Sequence, residues 1–244
     1  MQTYLSSEEL KEKAKENLTG HYGLLIGSSL FSGLISTAVL LVLSLFLSAS
    51  PPSFISALLA EGVAFIVSVF AGVFTVGITL MYMKYLSGAQ ASFSDLFYGF
   101  SHNFQTALTI SLVMNGLSFV LEMSYSIPNY LYLYTGNMVV YYVAFPCLAA
   151  GLLICVPIYL MLSQSYFLLL DFPNESAGKI FSTSIRITKG HRARLFYLIV
   201  TFLPLLLLGI VSVIGVLWII PYMNMTLAAF YFDLMKPKKV QGTV

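Results

Sequence analysis

Residues 22–48 read YGLLIGSSLFSGLISTAVLLVLSLFLS and contain no Asp, Glu, Lys or Arg. About 20 apolar residues in a helix cross the hydrocarbon layer of a bilayer, so this run is long enough to span one. It follows a stretch rich in both Glu and Lys and exceeds the roughly 7–15 apolar residues of a secretory signal. It is therefore expected to stay in place as a span, although Ser48-Ala49-Ser50 is similar to a cleavage site.

Outward from this run, five more apolar segments follow at 60–85, 104–123, 139–170, 195–213 and 216–232. The fourth is longer than a straight crossing needs, and Pro146 and Pro157 each remove a backbone donor, which predicts a kink. The last two are continuous in composition and too long for one span, which predicts a tight hairpin around Ser212–Gly215 with Trp218 close to an interface. The fold class is an all-α membrane protein: six transmembrane helices arranged as three hairpin repeats, with amphipathic interfacial helices on the cytoplasmic side. Residues 1–244 form one polytopic domain, with 1–21 as a leading amphipathic helix and 233–244 as a tail.

Composition agrees. Of 244 residues 58% are hydrophobic and 9% charged, against about a quarter charged in soluble domains, so no separate soluble domain is expected. A formal charge of +2 is too small to argue for nucleic acid. Cys147 and Cys155 fall in one apolar segment, roughly 12 Å apart along a helix axis, beyond disulfide reach; both read as packing residues, and no metal or cofactor is expected.

The basic residues divide cleanly. Lys11, Lys13 and Lys15 precede the first span, Lys84 follows the second, Lys179, Arg186, Lys189, Arg192 and Arg194 lie between the fourth and fifth, and Lys236, Lys238 and Lys239 follow the sixth. The positive-inside rule then places both termini and the second and fourth connections in the cytoplasm.

Each odd-numbered span is preceded by an amphipathic segment and a histidine. Ser6-Ser7-Glu8-Glu9 is a capping-box pattern ahead of Leu10, Ala14 and Leu18, and then His21. Phe93, Leu96, Phe97, Phe100 and Phe104 follow Ser92 or Ser94 as a cap, with His102 among them. Ala177, Ile180, Phe181 and Ile185 follow Asn174, and then His191. The even spans close on Tyr82-Met83-Lys84-Tyr85, on Tyr166-Phe167 with Asp171, and on Phe230-Tyr231-Phe232-Asp233. Three copies of one unit account for this; so does the general preference of aromatic residues and His for interfaces. Helices of this type usually lie in the headgroup layer with their apolar side down.

Polar residues inside spans are where function is sought. Ser111, Asn115, Ser118 and Glu122 form one helical stripe in the third span, and Glu61, Ser68, Gly72, Thr75 and Thr79 form another in the second. Lining a cavity is one reading, with Gln164 and Asn224 joining; close helix packing, as for Gly23–Gly27 and Ser29–Gly33, is the other. Zinc-protease, nucleophile-elbow and phosphate-loop patterns are missing from the sequence, and His21, His102, His191, Arg192 and Arg194 sit at the cytoplasmic interface in separate connections.

Thr188-Lys189-Gly190-His191-Arg192-Ala193-Arg194-Leu195-Phe196, Gly215–Tyr222 and Thr226–Tyr231 resemble a bacterial integral-membrane family known as domain of unknown function 975, as do Glu9-Leu10-Lys11 with Ala14-Lys15, and Ser92–Phe97. The resemblance covers nearly the whole chain except the Tyr-rich segment 124–142. It implies a multispan protein of a bacterial plasma membrane and supplies no catalytic residues. A more distant similarity, to membrane regions attached to glycerophosphodiester phosphodiesterases, implies a lipid-related or accessory role, without a catalytic domain of that kind in this sequence. The expected function is a non-enzymatic protein of the cell envelope that binds membrane lipids, a membrane-protein partner or a second copy of itself. A small-molecule or peptide transporter using the second and third spans is the alternative, and an intramembrane enzyme ranks behind both.

Overall fold

The computed structural model describes residues 4–47, 53–212 and 214–236, and among these it is helical with no strand. The ends of the first and fifth expected spans (Ser48, Val213) and most of the tail lie outside the described residues. In chain order the helices are α1 (Ser7–Leu18), α2 (Tyr22–Leu47), α3 (Phe54–Leu86), a 3-10 turn (Phe93–Phe97), α4 (Tyr98–Ser101), α5 (Phe104–Thr135), α6 (Met138–Leu162), α7 (Ser165–Asp171), α8 (Ala177–Thr188), α9 (Arg192–Val200), α10 (Leu203–Ser212) and α11 (Val216–Met235).

Five helical stretches, 22–46, 54–86, 104–135, 138–171 and 192–212, are long and apolar enough to cross a membrane. The sixth expected span corresponds to α11, a helix that falls outside that group because Tyr222, Asn224, Thr226, Tyr231 and Asp233 dilute its apolar character. It packs on α1, α2, α3 and α10, so protein rather than lipid covers much of this polarity; Thr226, Tyr231 and Asp233 are buried.

Several boundaries differ from expectation. α3 begins at Phe54 rather than Ala60, because Ser53 caps it by accepting from the Ser56 amide at 3.1 Å. The third apolar segment does not end at Met123. It continues as one helix to Thr135, with Gly136 at φ +67° as its left-handed cap, so half of the Tyr-rich segment extends α5 and the rest begins α6. Pro146 and Pro157 lie inside α6 without ending it; the fourth segment breaks instead at Ser163–Gln164. The fifth is interrupted at Thr201–Phe202, where Pro204 restarts α10 at a position whose missing N–H has no intrahelical use. The expected hairpin is present: Ser212 Oγ accepts from the Gly215 amide at 3.1 Å, and Gly209 packs against Gly215 and Val216.

α3 is the hub of the bundle, touching α2, α5, α7, α11 and the 3-10 turn. Small residues permit the approaches. A Cβ on Gly77 would lie 2.2 Å from the Leu96 carbonyl oxygen, so only glycine lets the 3-10 turn lie on α3. The Lys84–Asp95 ion pair at 2.7 Å fastens the same junction. The largest buried side chains, Tyr82, Tyr231, Phe230, Leu168 and Leu18 among them, gather at the basic end of the bundle, the end that carries α1, the 3-10 turn and α8. The opposite ends of α2 and α10 expose Leu41, Leu45, Phe46, Leu207 and Val211.

The first and third amphipathic segments turn most of their apolar residues onto protein, and the middle one does not. Ser6 and Glu9 form the expected capping box, and Leu10, Ala14 and Leu18 are fully buried, with α1 packed on α11. α8 is capped at Ser176, not Asn174, and it buries Ile180, Ser184 and Thr188 while Ile185 is exposed. The middle segment is not one helical face: a 3-10 turn and a single α-turn bury Leu96 and Gly99 and leave Phe93, Phe97, Phe100 and Phe104 exposed.

α1 and α8 nonetheless correspond residue for residue. Each has twelve residues behind a serine N-cap, ends in an extended residue, and is followed by a glycine at φ +85° (Gly20) or +87° (Gly190) and then a histidine. His21 N–H donates to Leu18 O, and His191 N–H to Thr188 O, both at 2.9 Å. The helices that follow bury the same positions, Leu25 and Ser28 in α2 and Leu195 and Leu198 in α9, and α5 buries Ala107 and Ile110 at the corresponding places.

Candidate functional site: a polar chamber beside an apolar groove

Between α2, α3, α5, α6 and α7 lies a chamber of about 440 Å³. α2 contributes Ser29, Ser32, Gly33 and Ser36; α3 contributes Ser68, Ala71, Gly72 and Thr75; α5 contributes Met114, Asn115 and Ser118; Tyr159 and Tyr166 complete it. Helical rise places the α2, α3 and α5 residues roughly 10 to 27 Å from the basic ends of their helices, a spread centred near the middle of a ~30 Å hydrocarbon layer.

The local sequence explains the opening. α2, α3 and α5 all turn small or polar residues toward it, and such residues occupy too little volume to fill the space between three helices. Ser111 is fully buried behind the chamber. Its hydroxyl donates to Val69 O at 2.6 Å, and the Asn115 amide donates to Ser111 O at 2.9 Å and Oγ at 3.0 Å. Gly72 lies against the same pair, so Ser111 ties α5 to α3 and holds Asn115 in place. Ser36 and Ser68 bond back to their own helices, to Ser32 O at 2.9 Å and Phe65 O at 2.8 Å. Among the described residues the hydroxyls of Ser29, Ser32, Thr75 and Tyr159 meet no protein partner, and the Asn115 carbonyl oxygen receives no protein donor.

A second space, of about 440 Å³ and almost wholly apolar, runs between α5, α6, α9 and α10 past Leu117, Leu152, Val156, Phe196 and Leu203. Ser118 and Tyr159 line both spaces. Polar chamber and apolar groove therefore meet along two residues.

Of the residues singled out in the sequence, Ser68, Thr75, Asn115 and Ser118 line the chamber and Ser111 supports it. Glu61 is elsewhere: it accepts from the Tyr130 hydroxyl at 2.5 Å, joining α3 to the Tyr-rich extension of α5. Glu122 lines an open groove with Tyr125 and Leu148 that reaches the chamber only through Ser118. Gln164 is buried at the α6–α7 break, where its amide donates to Ser163 Oγ at 2.9 Å and its carbonyl oxygen has no partner. Asn224 faces the Tyr82 hydroxyl, close to it but outside hydrogen-bond geometry. Ser29 to Gly33, read as a packing stripe, prove to be one wall of the chamber. Their serine spacing was the signal, and it is the same for a helix contact and for a cavity wall.

The interfacial residues serve the framework. His21 stacks on Tyr85, with ring centroids 4.1 Å apart; His102 stacks on Tyr98 at 4.4 Å; His191 meets Tyr4 edge-on at 4.4 Å. Burial, and then the neighbouring Arg194 charge, push the His191 pKa down. Arg192 reaches back to Ile185 O at 3.5 Å. Arg194 donates to Asp233, which is fully buried, and its guanidinium lies 4.8 Å from the Phe230 ring centroid. Burial works to raise the Asp233 pKa, but hydrogen bonds from Lys236 and Arg194 outweigh it and hold the carboxyl below its usual value.

Fold and site together define a polytopic helical protein with the character of a membrane protein, built around a neutral polar chamber. The chain belongs to the family described as "Protein of unknown function (DUF975)", whose pattern matches residues 1–238. Neither the curated proteins nor the solved structures gave a match.

Proposed function

We propose that this chain is a non-enzymatic, six-span protein of a bacterial plasma membrane, with both termini cytoplasmic, and that it binds an amphiphile. One observation carries the binding reading: Ser118 and Tyr159 are shared between a polar chamber and an apolar groove of similar size. A ligand with a polar part and a hydrocarbon part satisfies both, whereas a wholly polar solute uses only the first.

The span count is supported by α11, whose 20 residues reach about 30 Å, and the orientation by the collection of basic residues at one end. The correspondence of α1–α2 with α8–α9, and the shared burial pattern of α5, support three hairpin units.

The test is native mass spectrometry of the purified protein in nanodiscs. Lipid retained in wild type and reduced by Leu152→Trp in the groove is the expected result. A bare protein under conditions that preserve other lipid complexes would sink the reading. Transport is the second reading, favoured by the mid-depth position of the chamber; it predicts substrate accumulation in proteoliposomes that Asn115→Leu abolishes.

A further inference from the structure

We infer that the polar part of the bound molecule is uncharged and bears hydroxyl groups, as in a diacylglycerol, a long-chain alcohol or a glycosylated relative of either; this rests on the amphiphile reading above. The chamber wall is neutral throughout, made of serine and threonine hydroxyls, one amide and two phenols together with Gly, Ala and Met. A charged group placed there would lose its hydration and meet no countercharge, which is disfavoured at mid-depth in a membrane. Lys84 and Arg194 are engaged at the basic end, by Asp95 and Asp233. Glu122 lines the groove that shares Ser118 with the chamber, and its sign repels an anionic headgroup.

Hydrogen-bond inventory points the same way. The Ser29, Ser32, Thr75 and Tyr159 hydroxyls can each donate and accept, and the Asn115 carbonyl oxygen only accepts. A hydroxyl on the ligand matches both kinds of site. An ionised phosphate, which only accepts, leaves Asn115 unpaired at a depth where water is scarce. Position agrees as well, since the groove lies beside the chamber at similar depth rather than above it. The ligand therefore carries its head at mid-membrane, and neutral-headed lipids pay the smallest desolvation cost to be there.

The full-length protein is placed in phosphatidylcholine nanodiscs containing equal fractions of diacylglycerol, phosphatidic acid or a dialkylammonium amphiphile with matched chains, and retained lipid is counted by native mass spectrometry. Diacylglycerol is expected to exceed either charged amphiphile by about tenfold, a difference of about 1.4 kcal/mol. Thr75→Val with Asn115→Leu should remove that preference, and Leu152→Trp should lower retention of all three. Ser32→Ala, which alters no packing volume of consequence, repeats the test if the double variant fails to fold. Retention of a charged amphiphile equal to or above diacylglycerol, still sensitive to Leu152→Trp, overturns this inference and leaves the amphiphile reading standing. Retention of none of them, or retention that no variant alters, overturns both.

Discussion

Arg194 donates to the carboxylate of Asp233 and, through the same nitrogen, to the carbonyl oxygen of Leu5 at 2.6 Å. Asp233 in turn accepts from the Leu5 amide at 3.2 Å and from Lys236 at 2.8 Å. One buried carboxylate thus joins the segment ahead of α1, the start of α9 and the end of α11, which are far apart in the chain.

Removing that carboxylate leaves Arg194 largely buried without its countercharge. Asp233→Asn is expected to lower stability by about 3 kcal/mol, the cost of breaking a buried pair from one side, read as a fall in the thermal midpoint in detergent. Because the folded-state pKa of Asp233 is depressed, its contribution is present above the unfolded value of about 3.9 and is lost as pH falls through the lower folded value. The gap between wild type and Asp233→Asn should therefore narrow below about pH 4; a gap unchanged down to pH 2 would contradict this.

Gly77→Ala should cost about 1–3 kcal/mol or prevent accumulation, because the added methyl meets the backbone carbonyl of Leu96, which cannot swing aside as a side chain can. Thermal unfolding measures it. Gly62→Ala, with open space around the new methyl, is the control and should be near neutral.

Gly20→Ala and Gly190→Ala should each destabilise by about 1 kcal/mol, since both glycines occupy the left-handed region with free space beside them. Equal losses are the energetic signature of equivalent units. A loss at one site and none at the other would count against equivalence.

Orientation is open to cysteine labelling in a background in which Cys147 and Cys155 are replaced by alanine. Ser53→Cys and Asn137→Cys should react with an impermeant reagent added to intact cells, and Ser176→Cys only after the membrane is opened. The reverse pattern would invert the assignment drawn from the basic residues.

Residue patterns made much of this fold legible. α1 was readable because its cap, its charge pair and its Leu10–Ala14–Leu18 spacing all point to one helix, and local and tertiary preferences agree there. The Tyr-rich segment was not: the third apolar run reads as ending at Met123, yet α5 continues to Thr135, where α6 packs along it and Tyr130 has Glu61 to bond. The chamber was half legible. Asn115 and Ser118 declared themselves as polar groups in an apolar run, but Ser29 and Ser32 did not, since small residues favour close packing and an open wall alike.

Sequence by itself determined that the chain is a set of long apolar helices with its basic groups in the segments between and beyond them, because a period of 3.6 residues, a length near 20 and the cost of burying charge are properties of local sequence. Tertiary structure alone decided which polar residues face one another. Whether a serine touches a neighbouring helix or a void depends on crossing geometry and on side chains distant in sequence. Here those are the Gly72–Ser111 contact that draws α5 onto α3, and Tyr159, which lines both the chamber and the groove.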